Sequence, residues 1–109
     1  KCTTDGNGKG QVSASVGLLS YDEVVYAGGY YSQSNSKYYL YNSAIYWWTM
    51  SPAGFSGSNS NVWYVDSSGD IYHYSVNLPS YALRPVLILK ADTLATGDGT
   101  SSDPFIIVP

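Results

Sequence analysis

Charge is the first thing this chain has little of. Charged residues make up 12% of its 109 positions, with five Lys and Arg against eight Asp and Glu and a net charge of −3. A nucleic-acid partner needs a stripe of Lys and Arg to neutralise phosphates, and an anionic membrane surface needs a basic cluster. Five cations spread from Lys1 to Lys90 supply neither. Histidine and cysteine occur once each, as His73 and Cys2, at opposite ends of the chain. A metal centre needs such ligands at fixed spacings, and no group of carboxylates completes one around either residue. Cys2 cannot close a disulfide within the chain, so it is an inert thiol or the partner of a cysteine further upstream. Long apolar runs are missing too: no segment approaches the roughly 18 residues of a membrane span. No glycine-rich phosphate loop precedes a helix, and no nucleophile elbow singles out one of the many serines. The expectation is a protein that is not an enzyme and holds no cofactor.

What is present is aromatic and small polar. Aromatics are 16% of the chain and twelve of them are Tyr, set among Ser, Gly and Asn. Strands favour aromatic and β-branched residues, whereas the Lys and Glu that favour helices are scarce here. The expectation is one β-rich extracellular domain, since 109 residues are too few for two. The chain opens Lys1-Cys2 without Met, as a piece of a longer exported protein would.

The run IYWWTMSP, residues 45–52, is the densest apolar stretch and reads as the central strand. Trp47 and Trp48 are neighbours, so on a strand they point to opposite faces, and both faces need cover. Upstream, TTDGNGKG at 3–10 reads as a linker, and Asp5 and Asn7 make only a poor calcium loop because Lys9 stands where an oxygen ligand is needed. Alternation of Val12, Ala14 and Val16 with Ser13 and Ser15 predicts a first strand. Ser20 and Glu23 form a capping box, with Leu19 and Val24 as its hydrophobic staple, and predict a helix over 21–27 ended by Gly28-Gly29. The paired carboxylates Asp22 and Glu23 are therefore capping chemistry rather than a catalytic pair.

Beyond the helix, 30–37 reads as a loop, 38–41 as a short strand, and 51–61 as a long loop anchored by Phe55. Residues 62–65 and 71–76 read as a hairpin around Asp66-Ser67-Ser68-Gly69. Residues 77–81 are a loop, and 83–89 a buried strand whose start is an edge or a bulge because Pro85 lacks an amide. Arg84, the only Arg, reads as structural, its planar fork bonding loop carbonyls or a carboxylate, with ligand contact as the alternative. Residues 105–108 read as a last strand that pairs with the first. Asp98 and Asp103 in the turn before it offer a weak calcium-stabilised alternative.

Trp63, Tyr64, Tyr72 and Tyr74 on the hairpin could present a binding platform, because Tyr and Trp with Ser, Asn and Gly combine rigid aromatic contact with adaptable hydrogen bonding. Such tyrosines also simply pack with their hydroxyls in water, and His73 between two of them reads as a cross-strand neighbour.

The motifs YWWTMSP, VWYVDSSGDIYHYSV and LRPVLILKADTLATGDGTSSDPFIIV resemble those of bacterial exported domains that look like C-type-lectin-like folds. These are related in outline to formylglycine-generating-enzyme-like and retroelement-diversified variable proteins. There a helix signal similar to GLLSYDEVVYAGG precedes a YW-(T/S)-x-SP strand, and a GVRPVI-like strand lies near the C-terminus, where this chain has Ala82-Leu83 for Gly-Val. The resemblance spans 17–108 and implies a compact α+β fold, mostly antiparallel β with one short N-terminal helix, in a single domain over 11–109. The enzyme branch uses two redox cysteines, and a single Cys removes that activity. By the same resemblance, ligand contacts fall on Asn42, Tyr46, Phe55, Asn59, Asn61, Trp63, Tyr64, Tyr72, His73 and Tyr74; Ser20, Glu23, Trp47, Trp48 and Arg84 read as structural from the cap, strand and fork chemistry above. The function implied is recognition of a protein or glycan at the cell surface. The alternative is a pilin-type subunit, membrane-anchored by an upstream helix, whose Tyr-rich faces assemble a filament.

Overall fold

The computed structural model describes residues 14–77, 80–100 and 102–108. The linker at 1–10, the start of the expected first strand, and Cys2, Asp5 and Asn7 lie outside the described residues.

The fold is built on an antiparallel meander. Strands β3 (Trp47–Ser56), β4 (Asn59–Val65) and β5 (Asp70–Ser75) pair in sequence order. Two short strands flank them in parallel: β2 (Tyr30–Tyr31) on β5 and β6 (Ala82–Leu83) on β3, giving the order β2-β5-β4-β3-β6. Outside this sheet β1 (Gly17–Leu18) pairs with β7 (Pro85–Val86), and β8 (Ala95–Thr96) with β9 (Ile106–Ile107), both antiparallel. The one helix, α1, spans Tyr21–Tyr26.

Register makes the core. Trp47, Val65 and Ile71 are direct partners across β3, β4 and β5, so all three project from one face. All are fully buried, and so is Val24 of α1, which closes over them with Tyr38 and Leu40. A two-turn helix is not stable alone, so α1 depends on this contact and on its caps. Ser20 Oγ accepts the Glu23 amide at 3.3 Å, and the Ser20 amide donates to Glu23 Oε2 at 2.7 Å. Those Ser20 donors hold the Glu23 carboxyl below its usual range. The Tyr21 amide donates to Ser51 Oγ at 2.9 Å and ties the helix start to β3. At the other end Gly28 takes φ +111°, while a Cβ on Gly29 would press on Ile71 and Val24 at 2.9 Å.

Arg84 bonds a loop carbonyl and lies against the core. Its Nη1 donates to the Leu40 carbonyl at 2.6 Å and its guanidinium lies 4.8 Å from the Trp47 ring centroid. Trp47 is thereby enclosed by α1, the 38–40 turn and a planar cation. Trp48, on the opposite face, is also buried. Its cover is not a further strand layer but the rings of Tyr64 and Tyr81, at 5.9 and 4.6 Å.

Several expectations are corrected. Residues 51–61 are not a loop: β3 runs on to Ser56 and turns at Gly57, with φ +61°, into β4. Their Ser, Gly and Asn content reads as loop, but a hairpin ladder needs only backbone groups. Pro52 is tolerated because β6 covers only Trp47 and Trp48, and register shifts flank it. Phe55 anchors nothing, being 82% exposed. Residues 38–41 form a turn rather than a strand, closed by the Tyr41 amide on the Tyr38 carbonyl at 3.1 Å. The expected loop at 30–37 contains β2, and 14–16 are irregular with Val16 exposed, so the first described strand is Gly17–Leu18. The buried strand expected at 83–89 is broken at Arg84, and Leu87, Ile88 and Leu89 are exposed. The C-terminal strand pairs with β8 instead of with the first strand.

Two stability outcomes follow from these contacts. Ser20→Ala removes the cap and lowers unfolding free energy in urea by about 1 kcal/mol. The Tyr38 hydroxyl is buried without a partner among the described residues, so Tyr38→Phe leaves the domain at least as stable, with a gain of up to about 1 kcal/mol. Burial also pushes the Tyr38 phenol up from 10 to about 12. A raised native value means this contribution is intact below pH 10 and lost as pH rises through about 12. Urea midpoints measured across that window fall less steeply in Tyr38→Phe than in the wild type.

Candidate functional site

The face that forms the core continues past it. From the buried pair Val65 and Ile71, the next partners on the same face are Trp63 and His73, then Asn61 and Ser75. Cover thins along this line. Tyr21 packs over Trp63 at 4.5 Å between centroids, and Tyr31 lies edge-on to Trp63 at 5.5 Å and stacked with His73 at 6.4 Å. Trp63 and His73 themselves meet edge to face at 5.0 Å. Beyond these rings the sheet opens into a depression of about 330 Å³ lined by Ser56, Asn59, Asn61, His73, Tyr74 and Ser75.

The lining is polar, contains no Lys, Arg, Asp or Glu, and sits on the three longest strands. Its side chains make no hydrogen bond to one another or to the rest of the protein among the described residues. Two other asparagines are occupied internally: Asn35 Nδ2 donates to the Gly28 carbonyl at 2.7 Å, and Asn42 Oδ1 accepts the Ala44 amide at 2.9 Å. Each Asn amide offers two N–H donors and an acceptor oxygen. Asn59 and Asn61 therefore hold that capacity open on rigid strands.

The ten residues expected to contact ligand divide among several places. Asn59, Asn61, His73 and Tyr74 meet in the depression, and Trp63 supports its floor beside His73. Tyr46 and Tyr64 lie elsewhere, with Tyr81 and Trp48: Tyr46 stacks on Tyr81 at 5.4 Å, and Tyr64 lies 4.7 Å from Tyr81. Burial and the Tyr81 hydroxyl push the Tyr64 phenol well up. Tyr64 therefore packs, and a ligand meets little of it. Tyr72 lies at the β2 edge, 5.7 Å from Tyr31, with its hydroxyl 3.0 Å from Ser32 Oγ. Asn42 caps its own turn, and Phe55 stands apart on the β3–β4 hairpin. Sequence reasoning missed Ser56, Ser75 and the covering rings of Tyr21 and Tyr31. Ser75 sits two residues after His73 and could have been found by strand alternation. The parallel pairing that brings Tyr31 to β5 has no local signal.

Two carboxylate sites are spoken for by structure. Asp66 Oδ1 accepts the Ser68 and Asp70 amides at 2.8 and 3.0 Å and shapes the β4–β5 turn. A Cβ on Gly69 there, at φ +79°, would run into the Asn35 carbonyl. Asp70 is buried, which pushes its carboxyl up, while the amides of Gln33, Ile71 and Ser32 pull the other way. In the 97–103 turn Asp98 Oδ1 accepts the Thr100 amide at 2.9 Å and Asp103 Oδ2 the Asp98 amide at 3.2 Å. Bonding to Thr100 holds the Asp98 carboxyl below its usual range. Among the described residues no three His, Cys, Asp or Glu converge in a way that could hold a metal ion.

Fold and site together define a small, mostly β domain, with one mixed sheet, two short ribbons and almost no helix, whose open polar depression lies on the sheet. The chain belongs to the DUF6273 family, a domain of unknown function, whose model matches residues 1–91. No curated protein and no solved structure matches it. The β8–β9 ribbon and the turn between its strands fall beyond the family match.

The surroundings separate residues that hold the surface from residues that present it. Trp63→Ala strips the contacts to Tyr21, Tyr31 and His73 and costs about 3 kcal/mol in urea unfolding. His73→Ala and Asn61→Ala lose no internal hydrogen bond among the described residues, so each stays within about 1 kcal/mol of the wild type.

Proposed function

We propose that this chain is an extracellular, non-enzymatic recognition domain of C-type-lectin-like architecture that captures a protein or glycan target in the depression on β4 and β5. The observation that carries the reading is the convergence of Asn59, Asn61 and His73 on one face of a rigid meander, with Tyr74 at the rim, all free of internal hydrogen bonds among the described residues. Ordinarily a sheet face is either covered or solvated by charged side chains. This one is neither. A target that met those groups would find them already oriented, at little cost in side-chain ordering. The lining holds one imidazole and no carboxylate, an inventory that supports binding rather than acid–base or nucleophilic chemistry. A surface rich in Tyr, Ser and Asn suits an extracellular setting.

A second reading, the pilin-type subunit, is favoured by a different observation. Leu87, Ile88, Leu89, Leu94, Phe105, Ile106 and Ile107 are all exposed, and Ile88 is 97% so. An apolar segment of this extent is the kind of surface that neighbouring copies cover.

The two separate in one comparison. Labelled domain is applied to arrays of extracellular proteins and of glycans, while its association state is followed by sedimentation velocity. Recognition through the depression gives saturable binding by a monomer, weakened at least tenfold in His73→Ala and Asn61→Ala with unchanged melting temperature. Tyr46→Ala, remote from the depression, binds as the wild type does. Binding indifferent to His73 and Asn61 overturns the depression, and concentration-dependent polymers that vanish in Ile88→Asp favour the subunit.

A further inference from the structure

Resting on the recognition reading, we infer that the depression takes a neutral saccharide, the end of an uncharged glycan, through direct hydrogen bonds and without a bridging cation. The chemistry of the lining selects it. Amides from Asn59 and Asn61, hydroxyls from Ser56 and Ser75, and the His73 ring converge on one space, with Tyr74 at its rim. A planar amide sets a donor beside an acceptor, the pattern that two adjacent hydroxyls of a sugar ring match. The aromatic surface of His73, which is exposed, meets the C–H face of a pyranose while the polar groups meet its hydroxyls. Asn59 and Asn61 are two apart on one strand, about 6.7 Å along it, so the two amides address separate parts of a ligand.

Other ligand classes fit less well. An anionic sugar, phosphate or sulfate would bring a charge to a lining without Lys or Arg, on a chain of net charge −3. An apolar ligand would leave two amides and two hydroxyls desolvated and unpaired. An extended peptide adds to a sheet by bonding free main-chain groups at an edge strand. Here β4 is interior, with Asn61 paired to Gly54 on one side and Ser75 on the other, so only side chains are available. A volume of about 330 Å³ lies at the small end of ligand pockets, suited to one or two sugar rings. With no carboxylate in the lining, nothing there calls for calcium.

The test is titration of the ¹⁵N-labelled domain with neutral disaccharides (lactose, cellobiose, maltose, N,N′-diacetylchitobiose, mannobiose) and, as anionic counterparts, 3′-sialyllactose and a heparin disaccharide. At least one neutral sugar is expected to shift the amide resonances of Asn61, His73 and Tyr74 saturably. Asn61→Ala and Asn59→Ala weaken that sugar at least tenfold at unchanged melting temperature, Tyr46→Ala leaves it unchanged, and chelator has no effect. No shift from any neutral sugar, binding only of the anionic ones, or loss of binding on chelation overturns the inference. If the sugars fail while a protein target on the array still loses affinity in His73→Ala, the saccharide falls and the recognition reading stands; if no target binds at all, both fall.

Discussion

The indole of Trp47 is the contact through which the separate pieces of this chain become one body. Val65 and then Ile71 continue its row across the sheet, Val24 closes over the row, and Arg84 lies across its ring while donating to the Leu40 carbonyl. Helix, turn, meander and the segment after β6 therefore share one small core. At about 25 cal/mol per Å² an indole fully removed from water contributes several kcal/mol, a large part of the total stability of a domain this size. The core carries a cost as well. Trp47 Nε1, the Tyr38 hydroxyl and Asp70 Oδ1 are buried without partners among the described residues. Such groups oppose folding by about 1–3 kcal/mol each, so close packing must exceed them.

That core is short, and its shortness produces the site. α1 has only six residues and covers the sheet as far as Trp63, where Tyr21 ends its reach. The same face then goes on past His73, under Tyr31, to Asn61, Ser75 and Asn59 with no cover among the described residues. A longer helix would have made these positions core, and apolar side chains would stand there. Because cover stops, the alternation of β4 and β5 delivers amides and hydroxyls to a concave surface on a stiff support. The second face works differently: Tyr46, Tyr64 and Tyr81 close over Trp48 as a cluster of rings, so many phenols that look like a binding surface in the sequence are packing instead.

The legible parts of the fold are those whose cause is local. The capping box of Ser20 and Glu23, the Gly28 stop, the Asp66–Gly69 turn and the opposed faces of Trp47 and Trp48 each follow from residues close together in the chain. Where cause is remote, reading fails. The 51–61 segment looked like a loop because its side chains are small and polar, yet its backbone finds β4 and forms half of a hairpin. The 83–89 run reads as buried because it is apolar, yet its three last residues are exposed. Four of ten expected ligand contacts converge, since strand alternation places Asn59, Asn61 and His73 on one face, with Tyr74 at its rim. Asn42, Phe55, Tyr46, Tyr64 and Tyr72 were assigned by position along the chain, which carries no information on which face or edge a residue occupies once the strands pair.

The amino-acid sequence by itself determined the secondary-structure currency of this protein: an aromatic, charge-poor chain that makes strands and one capped helix. Only the tertiary structure decided which tyrosines are interior, that Arg84 lies on Trp47, and that a row of uncharged polar groups is left open beside the core. The reason is that hydrogen-bonding capacity belongs to a residue, but whether it is satisfied belongs to its neighbours. Asn35 and Asn61 are the same amide, and only the folded chain turns one inward to Gly28 and leaves the other facing out.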